Sequence, residues 1–351
     1  MTDIPDILFS PCFALYRMPN KGVVYGLAAK AAKTMSGGFE RGVGRAGFFI
    51  APFDSARGKS VFIPAEQRMH CYSARLPRLP LWLSGYEIND RTRYMEDFAA
   101  VKAAIDSGGA MKVVLARRVR VRIAAHTMQV LNIFGAACKM YPHNYIALWH
   151  TPQTGTWLTA TPELLLSADS DGKCRTTALA GTMSATEPGA DSLSGWSEKN
   201  LEEQRLVQQH IFHVLADTGV PYKVGRLAIT PSGKLFHLRT DFTFPAPHSV
   251  GLLLDWLHPT PAVCGMPVRS ARRVLSGAEH IKRDYYAGYS GPTFDDDSFA
   301  FYVTLRCMHV FEQGCDLFAG SGILRQSTAE DEWEETERKL NALRDLMPLR
   351  G

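Results

Sequence analysis

Residues 298–323 read SFAFYVTLRCMHVFEQGCDLFAGSGI, and this stretch decides the class of fold. Gln313-Gly314 stands where a turn between two strands is expected, so the stretch predicts a β-hairpin. The strands of a hairpin pair antiparallel, whereas the strands of a doubly wound fold pair parallel. Because the segments before the hairpin mix strands and helices, we expect an α+β fold with a mainly antiparallel sheet.

The hydrophobic pattern outside the hairpin alternates between the strand period and the helix period. The second half of MKVVLARRVRVRI (111–123) alternates Arg and Val, which indicates a strand with one face in water. The remaining patterns predict strands at 47–53, 145–150, 156–168, 174–183 and 234–244, and helices at 25–35, 89–106, 126–140, 197–215, 252–259 and 329–347.

The composition excludes several classes of protein. The chain has 351 residues, a formal net charge of +4, 46% hydrophobic residues and 21% charged residues, which excludes a disordered chain. Charges of one sign do not cluster, so neither nucleic acid nor a membrane surface is an expected partner. No apolar stretch approaches the ~18 residues of a membrane span. The seven cysteines are widely spaced without a CxxC pair, which favours a reduced, cytoplasmic protein.

The chain shows no internal repeat and no low-complexity linker. Length alone would suggest about two domains. We nevertheless expect a single domain over residues 1–351, in which residues 1–90 carry no recognisable motif.

Five features carry residues that could do chemistry, and each also has a plain structural interpretation. Two of them are helices rich in carboxylates, at 196–207 and 330–340. Glu163 follows Pro162 among apolar residues, where burial would raise its pKa and suit a general acid, but it could be an exposed strand residue. Lys112 opens a buried strand and could act as a base, or simply end that strand. Glu335 and Lys339 are four residues apart and so share one face of the second helix, where they could also form a plain surface ion pair. The Gly-Ser-Gly run at 320–322 could approach an anion or form a tight turn.

Taken together and in order, these features resemble one enzyme family. The sequence resembles the chorismate-utilising enzymes, which include isochorismate synthase, salicylate synthase, and component I of anthranilate synthase and of aminodeoxychorismate synthase. The motifs that carry the resemblance are KVVLAR (112–117), TPELLL (161–166), ALAG (178–181), KNLEEQRLV (199–207), LFHL (235–238), HPTPAVCG (258–265), RDYYAG (283–288), YVTLRC (302–307), LFAGSGI (317–323) and EWEETERKL (332–340). The resemblance covers residues 90–348 and implies that they form the chorismate-binding catalytic core. It also implies a large two-sheet antiparallel β core with helices packed outside and the site in a cleft.

The resemblance also implies a metal site. Members of the family hold Mg²⁺ with acidic residues from two helices, and the matching positions are Glu203 and Glu335. Mg²⁺ prefers hard oxygen ligands and keeps several waters, so few protein carboxylates suffice. The adjacent Glu202 and Glu334 should point elsewhere, because neighbours on a helix lie about 100° apart.

The resemblance further assigns residues to the substrate, the dicarboxylate chorismate. Lys112 matches the base that activates the attacking nucleophile, and Glu163 matches the acid that protonates the leaving hydroxyl at ring C4. Arg306 and Lys339 match positions that bind carboxylate oxygens of the substrate. The carboxylate bound by Arg306 would also accept hydrogen bonds from the backbone N–H groups of Gly320, Ser321 and Gly322. The other positions that match substrate-binding residues are Tyr286 in that pocket, His258 in the wall near the ring, Gly181 beside the C4 hydroxyl, and Ala262.

Three features favour one branch of the family. Lys112 in the base position favours water over ammonia as the nucleophile. Ala262 stands where members that eliminate pyruvate typically carry Thr, and HPTPA resembles isochorismate synthases. We therefore expect an Mg²⁺-dependent isomerase that forms isochorismate for menaquinone or siderophore synthesis, without an obligate glutaminase partner. A salicylate synthase, or a component I subunit that needs a glutaminase, is the alternative.

Three positions depart from the family pattern. Gln204 follows Glu203 where many members have His, which could alter the surroundings of the metal ligand. Val263 stands where Leu is common, and Cys264 where Ser is common, so we expect a retained but slightly reshaped pocket.

Overall fold

The fold is described from a computed structural model, which covers residues 4–35, 38–40, 46–73, 76, 83–84, 86–122, 127–347 and 349–350. In this part of the chain the helices are α1 (Ile4–Leu8), α2 (Arg91–Asp106), α3 (Thr127–Met140), α4 (Glu198–Thr218), α5 (Val250–Leu257), α6 (Val268–Ala278) and α7 (Ala329–Arg344). The strands of the N-terminal part are β1 (Cys12–Arg17), β2 (Val23–Ala29), β3 (Lys33–Thr34), β4 (Gly47–Ala51), β5 (Val61–Pro64), β6 (Gln67–Tyr72), β7 (Leu83–Ser84) and β8 (Tyr86–Asn89).

The remaining strands alternate with helices α2 to α7. They are β9 (Lys112–Arg122), β10 (Tyr145–Thr151), β11 (Gly155–Thr161), β12 (Leu164–Ala168), β13 (Lys173–Ser184), β14 (Lys223–Val224), β15 (Ala228–Ser232), β16 (Leu235–Pro245), β17 (Gly265–Met266), β18 (Tyr289–Thr293), β19 (Phe299–Val303), β20 (Cys307–Phe311), β21 (Gly314–Ile323) and β22 (Leu349–Arg350).

Two large sheets organise these strands, and every pairing within them is antiparallel. The first sheet has the order β17-β9-β21-β20-β11-β10-β1-β2-β6, and β8 also pairs with β9. The second has the order β14-β16-β13-β12-β19-β18-β4-β5-β3, and β15 also pairs with β16. A short parallel pair joins β7 and β22. The two-sheet antiparallel α+β fold expected from the sequence is thus confirmed.

Apolar side chains cover both faces of the first sheet. On strand β1, Ala14 and Tyr16 join a core cluster that includes the second sheet, α4 and α5. The alternate residues Phe13 and Leu15 pack with α1, α3 and α7 on the opposite face. Helices α2 and α6 form a separate cluster against β9 and the end of β21. The period-two alternation of the strands therefore lets one sheet support the inter-sheet core and an outer helical layer.

Two expectations for individual segments were wrong. In place of the helix expected at 25–35 the chain forms the end of β2 and the short strand β3, and Val24 to Ala28 pair with both β1 and β6. The stretch 298–323 does not form a single hairpin. Its part from Cys307 onward is the expected hairpin of β20 and β21, but β19 belongs to the second sheet. Favourable pairing with neighbouring strands outweighs local helix preference in the first case.

The chain crosses between the two sheets at two short segments. Pro162 and Glu163 connect β11 of the first sheet to β12 of the second, so the strand predicted over 156–168 is divided. Residues 304–306 connect β19 of the second sheet back to β20 of the first. Arg306 takes a positive φ of 45°, a left-handed conformation uncommon outside glycine. Both crossings bring residues of the candidate site into the space between the sheets.

In the described part of the chain, no helix combines the length and the apolar character needed to cross a lipid bilayer.

One buried arginine joins strand β1 to the segment that follows α3. The Arg17 guanidinium donates to the backbone carbonyls of Tyr141, Pro142 and Asn144, and the residue is only 2% exposed. These carbonyls lie between α3 and β10, so Arg17 fixes where β10 begins beside β1.

We expect Arg17→Met to lower the free energy of unfolding by about 3 kcal/mol, because buried carbonyl groups lose their donor. Urea unfolding followed by circular dichroism measures this change. Arg325→Met is the control, since Arg325 is exposed and should change stability by no more than about 0.5 kcal/mol. Equal stability of the two variants would contradict the role given to Arg17.

Candidate active site

A cavity lies where the two sheet crossings meet β9, β21, α4 and α7. Its walls include ten of the residues predicted from the sequence: Lys112, Glu163, Gly181, Glu203, Ala262, Tyr286, Arg306, Gly320, Gly322 and Lys339. Segments that are far apart in the sequence therefore meet at one place, as the ordered motifs predict.

Strand alternation decides which residues of β9 reach the cavity. Lys112 and Val114 line it, whereas Val113 and Leu115 pack against α2 and α6. The Lys112 side chain is 1% exposed, and its Nζ lies 3.3 Å from Oε2 of Glu203. The strand thus holds a buried ammonium group at the cavity wall, with one carboxylate as its ion-pair partner.

The same alternation applies to β21, which pairs with β9 over ten residues. Gly320 and Gly322 line the cavity, but the Ser321 side chain lies on the other face, with its Oγ 3.2 Å from the hydroxyl of Tyr94. A Cβ at Gly322 would come within 2.7 Å of Cε of Lys112. A side chain at Gly322 would therefore displace Lys112.

The backbone hydrogen bonds of β9 show which N–H groups of β21 bond to β9 in the antiparallel ladder between these two strands. The N–H of Val114 donates to the Cys264 carbonyl at 2.9 Å, and the N–H of Ala116 donates to the Glu279 carboxylate at 2.9 Å. Both groups therefore face away from β21. Since pairs in an antiparallel ladder alternate, the residue between them, Leu115, forms the hydrogen-bonded pair.

This alternation corrects the expectation for Ser321. Ser321 is opposite Leu115, so its N–H belongs to the ladder and is not free to bind a ligand. Gly320 and Gly322 lie opposite Ala116 and Val114, so their N–H groups face away from β9. Strand β20 cannot use these groups either, because its pairing with β21 ends at Phe318. Two of the three predicted backbone donors are therefore free of the sheet.

Glu163 lies on the first sheet crossing and is 5% exposed. Its Oε1 accepts a hydrogen bond from Oγ1 of Thr260 at 3.3 Å. Burial raises the pKa of Glu163 to about 7, although Thr260 and the cations of Lys112, Lys339 and Arg306 act in the opposite direction. This side chain can therefore hold a proton near neutral pH, as a general acid must.

Carboxylates from α4 and α7 surround a single lysine near the cavity. Nζ of Lys199 lies 2.7 Å from Glu332, 3.5 Å from Glu335 and 3.8 Å from Glu203. Burial opposes the charge of Lys199, but the three carboxylates raise its pKa above the ordinary value. Glu335 does not line the cavity itself. Its pKa falls to about 2, because the nearby cations Lys339 and Lys199 outweigh burial.

The neighbours of the predicted metal ligands lie at the surface, as expected. Glu334 is exposed, and Glu202 pairs with Arg205 outside the cavity. Each helix therefore directs one residue of the predicted pair inward.

The donor set of this region fits a hard divalent cation. Oε1 of Glu203 and Oε2 of Glu332 are buried without a hydrogen-bond partner, so each has a free lone pair for a cation. Within the described ranges, no three His, Cys, Asp or Glu side chains converge in an arrangement that could hold a metal ion. A cation that needs only one or two protein carboxylates, as Mg²⁺ does, is compatible with both observations.

Arg306, on the second crossing, is held by partners that the sequence did not suggest. Its guanidinium donates to Oγ of Ser232 and to Nε2 of His237. Nδ1 of His237 in turn donates to the Gly181 carbonyl at 2.9 Å, so the imidazole is the neutral Nδ1–H tautomer. Burial, together with Arg306, lowers the pKa of His237 to about 3. His237 also lines the cavity.

His258 was predicted in the cavity wall, but the structure does not place it there. Its ring packs edge-on against Tyr289 at 5.0 Å between centroids, and Nε2 lies 3.3 Å from the Pro52 carbonyl. Burial lowers its pKa to about 4. The histidine that reaches the cavity is His237, because alternation on β16 turns it toward Gly181.

Gln204 connects α4 to the strand that carries Gly181. Its Oε1 accepts from the Ala180 N–H at 2.9 Å, and its Nε2 donates to the Ala178 carbonyl at 3.2 Å. The glutamine that stands here in place of histidine therefore makes two hydrogen bonds to β13.

The sequence interpretation missed four residues of this region. His237, Lys199, Glu332 and Thr260 all fall inside motifs that carry the resemblance, yet the motifs gave them no role. The signal that could have found Glu332 is helical spacing, because it lies three residues before Glu335 and so shares its face. Nothing local marks Thr260, whose contact with Glu163 spans 97 residues.

Comparisons with known proteins show the family of the chain. Residues 65–347 match the family described as chorismate binding enzyme. Isochorismate synthase MenF of Haemophilus influenzae is 30% identical over 311 residues, covering 85% of this chain and 70% of that protein. Isochorismate synthase EntC of Escherichia coli is 29% identical over 321 residues, covering 85% of this chain and 80% of that protein.

A solved structure shows the same fold. The menaquinone-specific isochorismate synthase MenF from Escherichia coli superposes with a TM-score of 0.80 at 21% identity, covering 97% of this chain and 90% of that one. The match to the family over most of the chain, the relatives at about 30% identity and the shared fold lead to one conclusion: the chain belongs to the chorismate-binding enzymes.

Proposed function

We propose that this protein is an isochorismate synthase, an isomerase that adds water at ring C2 of chorismate and removes the hydroxyl at C4. The observation that carries the proposal is the buried Glu163, whose pKa is raised to about 7, in the same cavity as the buried amine of Lys112. One group that can give a proton and one that can take a proton are what this exchange of hydroxyl groups requires. The names of the relatives from Haemophilus influenzae and Escherichia coli support the same activity.

The cavity offers cations and N–H groups to a dicarboxylate substrate. We assign Arg306 and Lys339 to carboxylate oxygens, together with the free N–H groups of Gly320 and Gly322. A guanidinium group suits this task, because its planar donors match the two oxygens of a carboxylate. Burial lowers the pKa of Arg306 to about 10, so it still carries its charge at neutral pH. Two further assignments are to Tyr286 in the carboxylate pocket and to Gly181 beside the C4 hydroxyl.

Mg²⁺ is the cofactor in this proposal. Glu203 and Glu335 would hold it, with Glu332 beside them. When bound, the ion supplies Lewis-acid chemistry by withdrawing electron density from the ring through its carboxylate. Without ligands, the ammonium groups of Lys112, Lys199 and Lys339 balance the carboxylates of Glu203, Glu332 and Glu335. A dianionic substrate that enters with a divalent cation leaves this balance unchanged, which keeps the cost of burying charge low.

Lys112 and Glu163 perform the two proton transfers. We assign to Lys112 the removal of a proton from the water that bonds to C2, because water itself is a poor nucleophile; for this step its Nζ must first give up the proton that it carries in the ion pair with Glu203. Glu163 gives its proton to the hydroxyl that leaves C4, because hydroxide is a poor leaving group. One water enters and one water leaves, so the product is an isomer of the substrate.

Pyruvate elimination is the alternative outcome, as in a salicylate synthase. Ala262 lines the cavity but has no hydroxyl, and members that eliminate pyruvate typically carry Thr at this position. We therefore assign no lyase step and no obligate glutaminase partner to this chain. Isochorismate from this protein would serve menaquinone or siderophore synthesis.

Incubation of the purified chain with chorismate and Mg²⁺ should yield isochorismate by chromatography and no pyruvate in a coupled lactate dehydrogenase assay. Glu163→Gln should lower kcat by at least about a hundredfold with chorismate still bound, because the acid is lost while its shape is kept. Release of pyruvate in proportion to turnover would identify a lyase instead, and full activity of Glu163→Gln would remove the acid from the mechanism.

The pH profile provides a separate test of Glu163. Its pKa of about 7 lies above that of an ordinary glutamate, so the protonated form is present below about pH 7 and is lost as the pH rises. The alkaline limb of kcat/KM should therefore fall with an apparent pKa near 7, at about tenfold per pH unit. In Glu163→Gln the residual activity should lack this limb, and an identical limb in that variant would assign it to another group.

A third prediction concerns Gly322, which lines the cavity beside Lys112. Gly322→Ala should lower kcat by about tenfold or more, because its methyl group would displace Cε of Lys112 and approach the Glu203 carboxylate at 3.1 Å. Gly277→Ala is the matched control, since a Cβ there meets nothing within 4 Å and should leave kcat unchanged. Steady-state kinetics on the two variants decide the question, and equal kcat values would contradict the packing argument.

A further inference from the structure

A single hydroxyl group contacts the carboxyl that we assign as the acid. Thr260 and Glu163 are each 5% exposed, and Oγ1 of Thr260 lies 3.3 Å from Oε1 of Glu163. In the described part of the chain, this is the only hydrogen bond made by the Glu163 carboxyl. Since Oε1 is taken by Thr260, the other oxygen, Oε2, is left for a ligand in the cavity.

Thr260 is itself held in place by its backbone. Its carbonyl accepts the N–H groups of Val263 at 3.1 Å and Cys264 at 3.0 Å. The carbonyl of Cys264 in turn accepts the N–H of Val114 on β9. The hydroxyl is therefore fixed relative to the strand that carries Lys112, and it does not depend on a flexible loop.

The other groups that face Glu163 act through charge without a direct hydrogen bond. They are Lys112 from β9, Lys339 from α7 and Arg306 from the second crossing, and the hydroxyl of Tyr286 also lies near. The three cations favour the carboxylate wherever its oxygens point, because Coulomb attraction has little directionality. Among the described residues, only Thr260 distinguishes one oxygen from the other.

We propose that Thr260 is a positioning residue for the acid: it holds Oε1 of Glu163 and so directs the proton on Oε2 to the leaving hydroxyl. The O–H bond at Oε2 breaks as the C4–O bond breaks, the proton and the hydroxyl leave as water, and Glu163 becomes a carboxylate. The hydrogen bond from Thr260 becomes charge-assisted as that negative charge develops, so it is stronger in the transition state than before it. This role rests on the proposed function of Glu163.

The test compares Thr260→Val, which removes the hydroxyl at nearly constant volume, with Thr260→Ser, which keeps it. We expect Thr260→Val to lower kcat by about tenfold to a hundredfold with KM little changed. Its alkaline limb of kcat/KM should move up by about one pH unit, because the carboxylate loses a stabilising donor. Thr260→Ser should restore both values to near those of the unchanged protein.

The matched control is Thr151→Val at the end of β10. Thr151 is fully buried, its hydroxyl bonds to Thr154, and neither residue lines the cavity. This variant should lose stability but keep the position of the alkaline limb. Should Thr260→Val not yield folded protein, Thr260→Ala applies the same comparison with a smaller side chain.

A direct titration separates failure of this inference from failure of the proposed function. The Glu163 carboxyl is followed by NMR of protein labelled with ¹³C at the glutamate side-chain carboxyl, and Glu163→Gln identifies its signal. Suppose that the unchanged protein turns over chorismate, and that Thr260→Val shifts neither the kinetics nor the titration of Glu163. This result would overturn the role of Thr260 and leave the proposed function standing. Absence of turnover, with the titration still shifted in Thr260→Val, would overturn the function while the hydrogen bond remains established.

Discussion

The ladder between β9 and β21 is the interaction on which the site depends. Ten residue pairs fix the register, and a slip by one residue would turn Lys112 away from the cavity and bring Val113 toward it. The same register places Gly322 under Lys112, where the absence of a side chain leaves room for the lysine. Helices α2 and α6 cover the opposite face of the ladder, so the packing that stabilises this edge of the first sheet also orients the proposed base.

Buried charge is the second constraint. An ion cluster joins helices α4 and α7, which are far apart in the sequence. Lys199 on α4 contacts Glu332 and Glu335 on α7, so the ion cluster fixes how closely the two helices approach above the cavity. Removing one partner of such a cluster leaves a buried charge without compensation. This lowers the free energy of unfolding far more than the loss of a surface ion pair does. The cluster therefore gives the predicted metal ligands a defined spacing in the absence of a metal ion.

The sequence predicted those parts of the fold and site that depend on local patterns. Strand β9 and helices α2, α4 and α7 followed from hydrophobic periodicity, and the ordered motifs placed Lys112 and Glu163 together. Periodicity could not show that β19 leaves its hairpin for the other sheet, because a strand pattern carries no information on its partner. For a similar reason the sequence assigned His258 to the cavity wall and gave His237 no role: both stand in a motif, and only the structure shows that His237 on β16 turns toward Gly181.

The two sheet crossings have a consequence for how this protein can change in evolution. Segments between strands usually lie at the surface and accept insertions and deletions. Pro162-Glu163 and residues 304–306 connect strands as loops do, but they run between the two sheets and not over the surface. Each crossing is only two or three residues long. An added residue at either place would have no solvent to bulge into and would shift a whole strand. Length variation among descendants of this chain should therefore collect in the outer turns, while both crossings keep a constant length even where their side chains differ.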